Sequence, residues 1–196
     1  MRRNKVETNE TIRKLIQIAR AHFTEHGYTN TALESIVQEA NITRGAVYHH
    51  FRSKKELFRS VLEAVQQEVA ERVEHEASLG EDVWQQLYLG CRAFVLAAVE
   101  PQNKRIMLID GPAILGWDVW RAMDANHSMR LLREQLEMMQ NQGNFQDVPL
   151  DAMTYFLSGA LNETSLWLAH ESSLRPAALE DTMKVIALFL EGIKKN

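Results

Sequence analysis

The chain has 196 residues, 45% of them hydrophobic, a formal charge of −4 and one cysteine, Cys91. That length supports one or two domains with a real core; no run of 18 apolar residues offers a membrane span, and a lone cysteine excludes an intrachain disulfide and fits a reducing compartment. Arg2, Arg3 and Lys5 are followed by no apolar stretch, so the start does not read as a signal peptide, and a cytoplasmic protein is expected.

Charge is unevenly spread. Residues 1–59 hold eleven Lys/Arg against six Asp/Glu, a net +5, so residues 60–196 carry −9. A basic head on an acidic body suits a protein that meets nucleic acid at one end only.

In chain order, the first element spans Thr8–His26, with Ile12, Leu15, Ile16, Ala19 and Phe23 on one face and a stop at Gly27. Thr31 with Glu34 three residues on reads as a capping box, opening a short helix whose apolar face is Leu33, Ile36 and Val37. Ala40-Asn41-Ile42 is a turn, with Asn41 suited to a left-handed exit. Thr43 caps the next helix, in which Val47 and Phe51 point inward. Ser53 caps a long helix running to Leu79-Gly80.

Further helices are expected over Asp82–Val99, Asn103–Asp110, Trp117–Asn141, Pro149–His170 and Pro176–Lys194. Gly111-Pro112 and Gly116 read as a short loop, and both later prolines stand at helix starts, where a missing N–H is harmless. No strand pattern, repeat or low-complexity segment is present. The fold class is all-α: a helix-turn-helix domain over 1–52, a linking helix over 53–80 and a helical bundle over 81–196.

The frame of Leu33, Ile36, Ile42, Val47, Phe51 and Leu57 presents Thr43, Arg44, Tyr48, His49, His50, Arg52, Lys54 and Lys55 within a dozen residues. Such clustering suits a helix offered to a duplex groove. Arg44 can form a bidentate pair with guanine, Thr43 and Ala46 can touch a base edge or thymine methyl, and Gly45 with Ala46 keeps the approaching face small. His49 and His50 read as backbone or base contacts, and Tyr48, Lys54, His50 and the Thr31 region as phosphate contacts.

At Gly27, Tyr28, Thr31, Leu33, Ile36, Ala40, Ile42, Thr43, Gly45, Tyr48, Phe51, Lys54 and Leu57 the sequence resembles the TetR family of bacterial transcription regulators. Val37, Asn41 and Ala32 depart from the family's usual Ala, Gly and Ser/Thr, the last at a position that often touches phosphate. The resemblance implies a double-stranded DNA operator as partner, a phosphate role for Tyr48 and Lys54, repression as the common mode, and homodimers formed through the last two helices. Those helices carry Met153, Phe156, Leu157, Ala160, Leu161 and Leu168, then Val185, Ile186, Leu188, Phe189 and Ile193, with Ser158-Gly159-Ala160 as a small-residue patch. Two-fold pairing would supply a second half-site.

All four tryptophans and seven of the eight methionines lie beyond residue 80. Phe94, Met107, Trp117, Trp120, Met123, Met138, Tyr155 and Trp167, together with Trp84 and Met139, suit either the lining of a pocket for a small hydrophobic or aromatic effector or plain core. Asn162 is the first choice of polar anchor, beside Glu163, Thr164, Asn126 and His127. His22 and His26 are four apart, but no third ligand accompanies them, so no metal site is expected. No catalytic grouping or phosphate loop appears and no cofactor is implied. The expected function is a ligand-responsive DNA-binding regulator; a ligand-free activator or architectural factor, or an all-helical enzyme or carrier, are the alternatives.

Overall fold

The computed structural model describes residues 2–144, 148–170 and 176–195. Among these, every regular element is helical and no strand is present: α1 Arg2–Asn30, α2 Leu33–Ala40, α3 Arg44–Phe51, α4 Lys54–Ser78, α5 Val83–Val99, α6 Pro101–Lys104, α7 Gly111–Leu115, α8 Trp117–Asp124, α9 Ser128–Asn141, α10 Leu150–His170 and α11 Pro176–Gly192. The chain packs as two units, residues 1–65 with 101–120, and residues 66–100 with 121–196. Residues 101–120, the segment after α5, pack with the N-terminal helices. α4 contributes to both units.

In the first unit, α1 is interrupted at Gly27, where φ is 76° and ψ 167°. A left-handed angle there favours glycine, and a side chain would also strike the Arg105 guanidinium at 2.9 Å. Leu15, Ala19 and Phe23 of α1 meet Leu33 and Ile36 of α2, Val47 and Phe51 of α3, and Leu57, Phe58, Val61 and Leu62 of α4, all buried. Phe58 sits edge-on to Phe23 and Tyr28, with ring centroids 5.1 and 5.2 Å apart. Asn41 ends α2 at φ 53°, ψ 46°, the left-handed exit expected of it.

Residues 101–115 hold the end of α1. Arg105 Nη1 donates to the carbonyls of Thr24 (3.5 Å) and Glu25 (3.1 Å). Arg20 Nη2 donates to Asn103 Oδ1 at 2.8 Å, and the Tyr28 amide to Asp110 Oδ2 at 2.8 Å. The helix is wider than expected over Arg105–Asp110, a π-helical turn. Pro112 explains it in part. In that register its missing N–H would have served the Met107 carbonyl, and Trp120 Nε1 takes the carbonyl instead at 2.8 Å. The expected loop at Gly111-Pro112 is therefore helical. Only Gly116, at φ 91°, breaks the path.

The second unit is built around α5, whose buried face includes Leu87, Cys91, Phe94, Val95, Ala97 and Ala98. It packs against α9, α10 and α11. Asp82 caps it, accepting from the amides of Trp84 (2.9 Å) and Gln85 (2.8 Å). The single helix expected over 117–141 is two. Asn126 Nδ2 turns back onto the Ala122 carbonyl at 3.1 Å, and the amides of Asn126 and His127 bond three residues back, to Met123 and Asp124, rather than continuing the ladder. A short polar side chain competing with the helical ladder ends it there.

Candidate nucleic-acid interface and effector cavity

The candidate reading head is α3, held by a cap and two inward anchors. Thr43 Oγ1 accepts from the Ala46 amide at 3.2 Å. Val47 and Phe51 are buried, while Thr43, Arg44, Gly45, Tyr48, His49 and His50 are exposed and Ala46 is half-buried. The side chain of Arg44 is 61% exposed, so its reach is free. It is nevertheless pre-aimed: Nη1 lies 2.8 Å from Glu34 Oε1, Nη2 donates to the Tyr48 hydroxyl at 3.2 Å, and the guanidinium stands 5.4 Å from the Tyr48 ring centroid. The hydrogen bond to Tyr48, then its charge and that of Glu34, push the Arg44 pKa above its ordinary value.

Ser53 Oγ caps α4, accepting from the Glu56 amide at 3.1 Å. Lys54 lies one residue on, half-buried, its ammonium 4.3 Å from the centre of the Tyr28 ring. Burial lowers the Lys54 pKa and raises that of Tyr28.

One expectation at this face is corrected. Thr31 and Glu34 do not form a capping box, because α2 begins one residue later, with Ala32 as its N-cap and no side-chain cap bond. Thr31 is buried, and its hydroxyl donates to the Gly27 carbonyl at 2.7 Å and the His22 carbonyl at 3.1 Å. It fastens α1 to α2 instead of facing outward. His22 Nε2 is hydrogen-bonded to Glu39 Oε2 at 2.8 Å. Among the described residues no group of three metal-ligating side chains is found.

The second unit contains a cavity of about 490 Å³. α4 supplies Val73, Glu74 and Ala77, α5 supplies Leu87, Gly90, Cys91 and Phe94, α8 and α9 supply Asp124, Met129, Leu132, Gln135 and Met138, and α10 supplies Ser158 and Leu161. Small side chains make the space: a methyl added at Gly90 would already touch Ala77 at 3.6 Å. Asp124 is the most buried charge in the lining. Arg121 Nη1 holds it at 2.6 Å and also donates to Ser158 Oγ at 3.0 Å. Burial still keeps the Asp124 carboxyl above its ordinary pKa, against the opposing pull of Arg121, the Asn162 hydrogen bond and His127. The buried Cys91 thiol is pushed up to about 12 and stays neutral.

Of the nine expected effector contacts, Phe94 and Met138 line this cavity. Met107, Trp117 and Trp120 belong to the first unit, where Met107 and Trp120 are buried and Trp117 is exposed, 5.1 Å from the Trp120 ring. Met123 is buried in α8 without reaching the cavity, and Tyr155 and Trp167 are exposed on α10. Asn162 Nδ2 donates to the Ser158 carbonyl at 3.0 Å, one step behind the lining. Glu163, Thr164, Asn126 and His127 do not line the cavity either.

The sequence reading missed Asp124, Cys91, Gly90 and Ala77. The signal was present in Gly90-Cys91, small residues in the middle of an otherwise bulky helix.

A capped, exposed helix following a tight turn, in a chain that also holds a helical unit with its own cavity, defines a helix-turn-helix regulator. Residues 15–61 match the family described as bacterial regulatory proteins, tetR family, and residues 84–193 match the tetracyclin repressor-like C-terminal domain. The chain belongs to the TetR family of transcription regulators. The family and the relatives found are regulators of transcription, not enzymes. A TetR-family regulator of known structure from Pectobacterium atrosepticum is 31% identical over 97% of both chains, with a TM-score of 0.78.

TtgR of Pseudomonas putida is 34% identical over 99 residues, covering 50% of this chain and 45% of that protein. AcrR of Shigella flexneri is 33% identical over 82 residues, covering 41% and 38%. The chain thus spans less than half the length of these curated relatives. RolR, solved with its ligand resorcinol, shares the fold at a TM-score of 0.71 and 18% identity, over 96% of this chain and 94% of its own.

Proposed function

We propose that this protein is an effector-released repressor that binds an inverted-repeat operator as a homodimer in the cytoplasm. The exposed, capped α3 with Arg44 pre-aimed by Glu34 and Tyr48 carries the reading. Two such helices enter successive major grooves about 34 Å apart. Arg44 reads a guanine, Thr43 and Ala46 contribute at base edges, and Tyr48, His49, His50 and Lys54 set register on the backbone. Exposed Tyr155 and Phe156 on α10 with Val185 and Leu188 on α11 support pairing through those helices.

The cavity supports sensing, since α4 forms part of its wall and also runs on from the reading head. An occupant that favours one placement of α4 changes the separation of the heads, and releases DNA only by its difference in affinity for the two forms. RolR, whose fold this chain shares, was solved with a small phenolic ligand, which agrees with an effector role for this unit. No described helix is long and apolar enough to cross a membrane.

The test is a duplex taken from just upstream of the coding region. A labelled inverted repeat is expected to be retained by two subunits at salt concentrations that strip random DNA. Equal affinity for scrambled half-sites would refute the operator reading.

A further inference from the structure

The cavity has charge of one sign in its wall. The charged-type residues of the lining are all acidic: Asp124, closing α8, is buried, while Glu74 on α4 and Glu134 on α9 are exposed. No Lys, Arg or His lines it. Arg121 and Arg130 pair with Asp124 and Glu134 from outside the lining, whereas Glu74 has no partner among the described residues. The remaining wall is apolar or neutral, with Phe94, Met129 and Met138 as its polarizable members. The residues of this unit, 66–100 and 121–196, hold nine Lys/Arg against seventeen Asp/Glu, a net −8.

An anionic ligand would lose its hydration against three carboxylates with no cation to receive it. A neutral apolar ligand would gain burial alone. A cation on an apolar body gains burial, the unpaired carboxylate of Glu74 at the exposed edge of the lining, and contact with Phe94 and the methionine sulfurs.

We infer that the cavity takes a lipophilic cation, an amine, amidine or quaternary ammonium on an aromatic or aliphatic body, with Glu74 as its counter-charge. This rests on reading the cavity as the effector site.

The test is a charge series of one shape: biphenyl-4-carboxamidine, biphenyl-4-carboxamide and biphenyl-4-carboxylate, titrated calorimetrically into the full-length protein. The amidine is expected to bind at least about tenfold more tightly than the amide, with the carboxylate weakest. Asp124→Asn leaves Arg121 without its partner and can cost the fold, so Glu74→Gln carries the variant arm. It should remove about threefold or more of the amidine's affinity and leave the amide unchanged.

An amide equal to the amidine, a carboxylate that binds best, no amidine binding up to about 1 mM, or equal losses for amide and amidine in Glu74→Gln would each overturn the inference. A DNA-retention assay with the same probes separates the two readings. Binding in the expected charge order without DNA release keeps the ligand class and removes the sensing role. DNA release by the amide or carboxylate before the amidine keeps sensing and removes the charge rule.

Discussion

On the proposed reading Arg44 and Lys54 are both cations of the reading head, but their surroundings suit them to different work. Arg44 projects from the first turn of α3, steered by Glu34 and Tyr48, which suits a planar fork meeting a base edge. Lys54 rests its ammonium on the Tyr28 ring, which suits a point charge for a phosphate. Arg44→Ala should therefore cost about 1–3 kcal/mol at one base pair per half-site and relax preference there, read by affinities for single-base operator variants. Lys54→Ala should weaken all sequences alike and flatten the salt slope by about one unit per subunit.

Ala32 is the weak point of the same face. It holds the N-cap of α2 with no side chain to offer, so Ala32→Ser should raise stability by about 0.5–2 kcal/mol in denaturant titrations. Cys91 gives a pH-dependent companion. Its pKa rises with burial from an ordinary 9.0 to about 12 in the folded chain. The folded state thus keeps a proton that the unfolded state releases. That contribution is complete below pH 9 and is lost as pH climbs toward 12. At neutral pH iodoacetamide should label Cys91 only after denaturant is added; labelling of the native chain at the unfolded rate would contradict its burial.

At the scale of elements, the turn between α2 and α3 was legible because its signals are local. Asn41 supplies the left-handed exit and Thr43 the cap, and both sit where the sequence puts them. The Thr31–Glu34 box was a local signal too, but a competing acceptor, the Gly27 carbonyl, takes the hydroxyl. The cavity was much less legible. Bulky aromatic and methionine side chains mark where apolar surface is buried, not where space is left, so Met107, Met123 and Trp120 end in packing while Gly90 and Ala77 make the void.

The π-turn over Arg105–Asp110 was not legible either, since it depends on Trp120 arriving from a later helix to satisfy Met107. That dependence can be measured. Trp120→Phe should cost about 1–3 kcal/mol through the unpaired carbonyl, beyond the small loss of area. In a Pro112→Ala background, residue 112 regains an N–H for the same carbonyl, and the cost should shrink. A double-mutant cycle with no coupling between positions 112 and 120 would reject the account.

At the scale of the whole molecule, the question is what covers α10 and α11. Val185 and Leu188 are 65% and 73% exposed, and Phe156 lies against Phe189 with ring centroids 5.3 Å apart at the same surface. Large apolar side chains gathered on two adjacent helices mark an interaction face. On the proposed reading its occupant is a second copy of this chain, because a two-fold partner offers the same apolar surface in return. On the same reading, one α3 would contact too few base pairs for operator-level affinity, which would tie pairing there to DNA binding at the other end of the sequence.

Leu188→Glu on α11 puts a charge into that face while removing little from the subunit's own core. It should convert a dimer to a monomer in light scattering at micromolar concentration, leave the helical circular dichroism intact, and lower operator affinity by about 100-fold or more, because one half-site must then be held alone. Non-specific binding per subunit, driven by the phosphate contacts of each head, should fall far less. A Leu188→Glu protein that stays dimeric, or a monomer that holds the operator as tightly as before, would break the link between these two helices and recognition by a paired head.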